Sequence, residues 1–113
     1  MECVFCKIIA GEIPAEVIDH DERVFAFRDI HPVAPTHILI IPMQHIASLA
    51  ELPATETSLI ADMVKLANRL AKEEGIDKTG YRLVINSGKE GGQVVPHLHM
   101  HLIGGRQMKE ALG

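Results

Sequence analysis

At 113 residues the chain has the length of one domain with room for a modest core, and its 47% hydrophobic and 23% charged content is that of a globular protein. A formal charge of −4 with no Lys/Arg block argues against non-specific nucleic-acid or membrane-surface binding. The longest aliphatic run, Ile38 to Ile41, is far too short to span a bilayer. Met1-Glu2-Cys3 has no basic region leading into an apolar stretch, so no signal peptide is expected. Both cysteines lie in one Cys-x-x-Cys, Cys3 and Cys6, which is not a secreted disulfide framework, and the expected compartment is a reducing cytoplasm.

Cys3 to Ala10 predicts a short helix or helical turn, ended by Gly11 and led away by Ile13-Pro14. Glu16 to Asp19 and Arg23 to Arg28 predict two short strands, joined as a hairpin by His20-Asp21-Glu22. Asp29-Ile30-His31-Pro32 breaks the second strand, and Pro35 forces an extended approach to Thr36. His37 to Ile41 is the most β-prone run and predicts a central strand, closed by Pro42. Thr55 to Glu74 predicts the one long helix, with Leu59, Met63, Leu66, Ala67 and Leu70 in a single apolar stripe and Gly75 as its stop. Tyr81 to Asn86 predicts a strand, followed by the glycine-rich loop Ser87 to Gly92. No repeat or second-domain boundary is visible, so residues 1–113 are expected to form a single α+β domain. Its sheet should be mainly antiparallel, with a helix on one face.

Pro96-His97-Leu98-His99-Met100-His101-Leu102-Ile103 holds three of the chain's seven histidines. On a strand these three share one face, about 6.5–7 Å apart, while Leu98, Met100 and Leu102 take the other. Imidazole titrates nearest neutrality and is the commonest metal ligand, so the stretch is either a metal site or a nucleophile with proton-handling neighbours. His97 and His101 sit roughly 13 Å apart at Cα on a strand, which is awkward for one ion, although a three-histidine catalytic metal stays open. The spacing better suits one attacking imidazole beside a neighbour that stabilises charge and donates a proton. Gly88, Gly91 and Gly92 allow backbone N–H groups to converge on an oxyanion; an ordinary hairpin loop has the same composition. Asp29 is either an acceptor for sugar hydroxyls or a turn-forming carboxylate.

Pro96 to Ile103 resembles the His-φ-His-φ-His-φ-φ signature of the histidine triad (HIT) superfamily of nucleotidyl hydrolases and transferases, φ being hydrophobic. The resemblance covers nearly the whole chain. Phe5 to Pro14 is similar to the family's opening helix, and Phe27 to Ile30 and Ala34 to Pro42 to its middle. Gly91-Gly92-Gln93 and Gly104 to Met108 most resemble the HINT branch, which hydrolyses purine nucleoside phosphoramidates. The resemblance implies a mainly antiparallel five-stranded sheet, one long helix and a short N-terminal helix. It also implies a homodimer that extends the sheet through the long helix and an edge strand. His99 is then expected to attack the α-phosphorus and form a covalent nucleotidyl-histidine, which water resolves to nucleoside monophosphate, AMP or GMP. His101 and His37 would assist phosphate binding and proton transfer to the leaving amine, and the backbone carbonyl of His97 would hold the His99 ring. Asp29 corresponds to the ribose-binding carboxylate; Phe5, Ile8, Phe27, Ile30 and Leu39 to the purine wall; Asn86, Gly92 and Gln93 to the phosphate side. No Mg2+ is expected to be required. Branch members usually carry a polar residue, often Ser, three positions before the first triad histidine. Here that position is Val94, and the missing donor is worth about 1–3 kcal/mol. Two alternatives stand beside this reading: a metallohydrolase using the triad as catalytic ligands, and a nucleotide-binding or interaction protein with little activity.

Cys3-x-x-Cys6 admits three readings. A redox pair should follow a strand, and none precedes Cys3. Two free thiols in an N-terminal helix are the second. The third is a tetrahedral zinc site with two histidines. Some HIT proteins use a histidine three residues after an Ile-Pro step together with the first triad histidine, and here these are His45 and His97. The resemblance therefore implies a structural Zn2+ on Cys3, Cys6, His45 and His97.

Overall fold

The structure, a computed structural model, describes residues 2–113. Its elements in chain order are α1 (Val4–Ile9), β1 (Val17–His20), β2 (Val24–Arg28), β3 (Thr36–Pro42), α2 (Ser58–Glu73), β4 (Tyr81–Val84) and β5 (Met100–Gly104). The strands form one five-stranded sheet in the order β1-β2-β3-β5-β4, with every neighbouring pair antiparallel. This is the expected α+β architecture. The β1–β2 turn is held by Asp21, whose carboxylate accepts the Arg23 and Val24 N–H groups at 2.7 and 2.9 Å, an Asx turn.

β3 is buried along its whole length, because both faces of the sheet are covered at its centre. Its alternation divides the molecule in two. Ile38 and Ile40 face α2 and pack with Leu59, Met63, Leu66, Ala67 and Leu70, the stripe predicted for the helix. Leu39 and Ile41 face the opposite side and pack with Phe25, Phe27, Phe5 and Cys3. The functional groups gather on this second side, under α1. The six-residue α1 is opened by Cys3, whose Sγ accepts the Cys6 N–H at 3.4 Å. It ends at Gly11, whose φ of 79° suits a residue without Cβ.

The histidine strand is shorter than its pattern predicts. The β3–β5 ladder ends at Ile40 opposite Met100, and residues 96–99 lie outside any strand. The cause is local. Pro96 has no N–H to give, the His97 N–H turns back to the Val95 carbonyl at 2.8 Å, and the Leu98 N–H goes to Ile46 at 2.7 Å. The Pro42 carbonyl is taken by Nε2 of His97 at 3.0 Å. The two-sided alternation survives without the ladder, since Leu98, Met100 and Leu102 are all buried on the α2 side. At its other end the long helix starts at Ser58 rather than Thr55, after a single 3-10 turn at Ala54–Glu56.

Candidate active site and metal centre

His37 on β3 stands opposite Ile103, and His101 on β5 stands opposite Leu39, which makes the two histidines diagonal neighbours on one face. Nε2 of His37 lies 2.9 Å from Nδ1 of His101. Nδ1 of His37 accepts the Val33 N–H at 3.2 Å, so the proton of this neutral ring resides on Nε2. Asp29 Oδ2, 3.5 Å from the same Nε2, favours that arrangement. Nδ1 of His101 is then an acceptor, and its own proton resides on Nε2. Burial lowers the pKa of His37 against the pull of Asp29. Burial, with His99 and His37 nearby, brings His101 down to about 4. Both rings are neutral at pH 7, and the chain Val33, His37, His101 sets each tautomer.

His99 is set separately. Its Nδ1–H donates to the His97 carbonyl at 2.7 Å, leaving Nε2 with a free lone pair. The ring is buried, lies 5.1 Å centroid to centroid from His101, and meets Phe5 edge-on at 5.2 Å. A buried imidazole with an oriented lone pair beside a proton-bearing neighbour can act as a nucleophile with a general acid at hand.

These rings line a cavity of about 560 Å³, the size of a small-molecule site. Phe5, Ile8, Phe27, Ile30 and Leu39 form its apolar wall, Asp29 enters from one side, and Asn86, Gly92 and Val94 stand at the other. Phe5 and Phe27 meet edge to face at 5.4 Å. Ile13, Pro14, Ala15, Val33 and Val95 also line it and were not singled out in the sequence. Val95 had a signal, since it continues the alternation of His97 and His99 two residues upstream. The others come from loops, which carry no such period.

Gln93 is placed differently. It does not line the cavity: its Nε2 donates to the Ala47 and Val95 carbonyls at 2.7 and 2.9 Å, and its Oε1 accepts the Gly88 N–H at 2.8 Å. The glycine loop likewise departs from an anion nest. The Gly92 and Gln93 N–H groups are spent on Lys89 and Gly88 carbonyls at 3.0 Å each, and the Gly88 N–H on Gln93. A Cβ on Gly91 would come within 2.4 Å of the Ser87 carbonyl oxygen. The glycines thus allow a tight loop that hydrogen-bonds to itself and carries Asn86, whose amide donates to Gly91 at 2.8 Å.

Cys3, Cys6, His45 and His97 converge under α1. Nδ1 of His97 lies 3.4 Å from Cys3 Sγ, 3.6 Å from Cys6 Sγ and 3.2 Å from Nδ1 of His45, which is 3.3 Å from Cys6 Sγ. Zinc bonds of about 2.0–2.1 Å to nitrogen and 2.3 Å to sulfur give tetrahedral edges of about 3.3 Å between nitrogens and 3.6 Å between nitrogen and sulfur. These four separations lie close to those edges, and all four donor atoms are within 4.8 Å of one another. Nε2–H of His97 donates to the Pro42 carbonyl, which turns the Nδ1 lone pair toward the thiols as a metal ligand requires. Burial lowers the pKa of His97 and, with Cys3, raises that of Cys6. The four side chains can hold a metal ion. Asp29, His37 and His101 form a second close group, but there Nδ1 of His37 is an acceptor, and a cation on Nε2 would require an imidazolate.

An antiparallel sheet and a helix that bring three oriented imidazoles to one largely apolar cavity have the form of a small-molecule site. Residues 10–108 match the HIT domain, and the chain belongs to that family. It is 47% identical to the purine nucleoside phosphoramidase of Escherichia coli over 107 residues, which is 95% of this chain and 90% of that one. A HIT family hydrolase from Legionella pneumophila Philadelphia 1 superimposes with a TM-score of 0.96 at 50% identity, covering 99% of this chain and 100% of the other. A zinc-bound histidine triad family protein from Mycobacterium smegmatis gives 0.82 at 34% identity, covering 97% and 79%. The expected family and fold are those found.

Proposed function

We propose that the chain is a nucleotide hydrolase that cleaves purine nucleoside 5′-phosphoramidates, or related adenylates, at the α-phosphorus through a nucleotidyl-histidine on His99. The observation that carries this reading is the 2.7 Å bond from Nδ1 of His99 to the His97 carbonyl. It commits Nε2 as the lone-pair nitrogen of a ring lining the cavity. The phosphoramidase name of the Escherichia coli relative supports the substrate class. In this mechanism Nε2 of His99 forms a bond to phosphorus as the phosphorus–nitrogen bond breaks. The leaving amine takes the Nε2 proton of His101, and the His37–His101 pair, which takes up one proton from solvent as the phosphate binds, is left neutral. Water then attacks the same phosphorus as the bond from phosphorus to Nε2 of His99 breaks, returns a proton to the pair, and releases AMP or GMP. A bound phosphate raises the proton affinity of both rings, so the substrate recruits its own countercharge and Mg2+ is not required. Asp29 binds the ribose hydroxyls, the apolar wall takes the purine, and Asn86 and Gly92 border the phosphate, with Gln93 bracing them from outside.

Zn2+ is the cation assigned to Cys3, Cys6, His45 and His97, in a structural role; the donor distances and the zinc-bound Mycobacterium smegmatis relative support it. Residues 1–113 act as one domain, and a homodimer forms through α2 and an edge strand of the sheet, whose two edges are β1 and β4. No helix among the described residues is long and apolar enough to cross a membrane; the cytoplasm is the proposed compartment. A second reading, a nucleotide-binding protein with little activity, is favoured by Val94. This residue is 89% exposed at the cavity rim, where a hydroxyl donor would otherwise serve the leaving group.

Rapid-quench kinetics with labelled adenosine 5′-phosphoramidate decide between them. A burst of acid-labile nucleotide on wild-type protein, absent from His99→Ala, is expected. Stoichiometric binding with neither burst nor turnover would favour the second reading. Turnover without a covalent intermediate, abolished at once by chelation, would point to a metallohydrolase.

A further inference from the structure

The nucleophile sits just outside the sheet that should position it. Pairing between β3 and β5 stops at Met100, so the His97 carbonyl, which orients His99, is not held by a strand ladder. Two anchors flank it instead. On one side the Leu98 N–H reaches the Ile46 carbonyl at 2.7 Å. On the other the His97 ring is fastened at both nitrogens: Nε2 on the Pro42 carbonyl at 3.0 Å, and Nδ1 among Cys3, Cys6 and His45. His45 adjoins Ile46, so both anchors join residues 97–98 to residues 45–46. Phe5, between the two thiols in sequence, meets His97 at 5.9 Å and His99 at 5.2 Å. The segment that supplies the sulfurs therefore also braces the nucleophile's ring.

We propose that Cys3, Cys6, His45 and His97, when they hold a cation, act as the positioning device for the nucleophile. By fixing the His97 ring they fix its carbonyl, and through it the tautomer and orientation of His99. This goes beyond a role in holding the fold together, and it rests on the reading of His99 as nucleophile. The carbonyl selects the Nδ1–H tautomer, which leaves Nε2 free to attack; an unanchored carbonyl leaves His99 sampling both tautomers. None of the four ligands belongs to the core between the sheet and α2, so that core can persist when the ligands are freed.

The experiment compares protein as purified, protein stripped by a chelator under reducing conditions, and Cys3→Ser/Cys6→Ser. Metal content is read by mass spectrometry, folding by circular dichroism, and the His99 tautomer by long-range 15N–1H NMR without substrate. kcat and KM are measured with adenosine 5′-phosphoramidate. Loss of the ion is expected to turn a single Nδ1–H tautomer into a mixture and to lower kcat about 10–100-fold, with KM changed by less than about threefold. Added Zn2+ should restore the stripped wild type but not the double variant, and His45→Cys, which keeps four ligands, should retain both ion and tautomer. An ion-free protein with unchanged tautomer and kcat would overturn the proposal, as would an effect confined to KM. Unfolding of wild type and variants alike on ion loss would also overturn it, leaving the cation as a folding element. Failure of the nucleophile reading appears elsewhere, as no nucleotide trapped on His99 in the loaded protein, because the tautomer is read with no substrate present.

Discussion

Nε2 of His37 lies 2.9 Å from Nδ1 of His101, and the Val33 N–H on the far side of His37 decides which ring owns the proton between them. The hydrogen-bond chain therefore has a direction, from the loop before β3 toward the cavity. His37→Ala removes the hydrogen bond that keeps the His101 proton on Nε2. kcat is expected to fall about 10²-fold, and His101→Ala about 10²–10⁴-fold, both measured by steady-state hydrolysis. An unchanged kcat in His101→Ala would remove that ring from the proton path.

Burial and the neighbouring His99 and His37 bring His101 to about 4. Protonation near that value in the free protein charges the ring that hands its proton to the leaving amine. The sign is gain of activity on acidification. The contribution of His101 to kcat/KM, which reports the free protein, should rise as pH falls from 6 toward 4 and level off below it. The same profile in His101→Gln should lack that rise.

Asp29 carries two contacts: its Oδ1 accepts the His31 N–H at 2.7 Å, and its Oδ2 faces His37 at 3.5 Å. Asp29→Asn should reduce kcat/KM about tenfold or more, the worth of a hydrogen bond to a charged group. Wild type should discriminate by a similar factor against a 2′,3′-dideoxy substrate, and the variant should not. Equal discrimination by both proteins would separate Asp29 from the ribose.

Val94 is exposed at the rim, so Val94→Ser should leave stability within about 0.5 kcal/mol of wild type. A restored donor should raise kcat/KM by about 1–3 kcal/mol of transition-state stabilisation, most for substrates with poor leaving amines. Thermal melts and a leaving-group series read the two effects separately.

Away from the site, Arg28 grips Glu74 with two hydrogen bonds, at 2.9 and 3.0 Å, and Thr36 adds a third at 3.2 Å. The Arg28 guanidinium holds the Glu74 carboxyl below its ordinary range. Because the folded pKa is the lower one, the unfolded chain binds the proton first, and the stabilisation is present above about pH 4.3 and lost on further acidification. For a partly exposed pair it amounts to about 1 kcal/mol. Denaturant titrations of wild type and Glu74→Gln should differ by that amount at pH 7 and converge toward pH 3.

The sequence alone determined which face each side chain of the histidine stretch takes. Period two placed Leu98, Met100 and Leu102 on one side and the three histidines on the other, because the pleat is a local property of the backbone. The helix stripe and the hairpin were legible for the same reason. Tertiary structure decided where each histidine's nitrogens point. The three look alike in the pattern, yet the His97 ring turns to thiols 94 and 91 residues away, His101 turns to His37, and His99 is held by the backbone of His97. Likewise nothing local says that Gln93 bonds to Ala47 or that the glycine-loop amides bond within the loop. A repeating pattern specifies direction to one side of a sheet; the partner met there is set by packing of distant segments, and partners fix tautomers, ligand sets and the end of the β5 ladder.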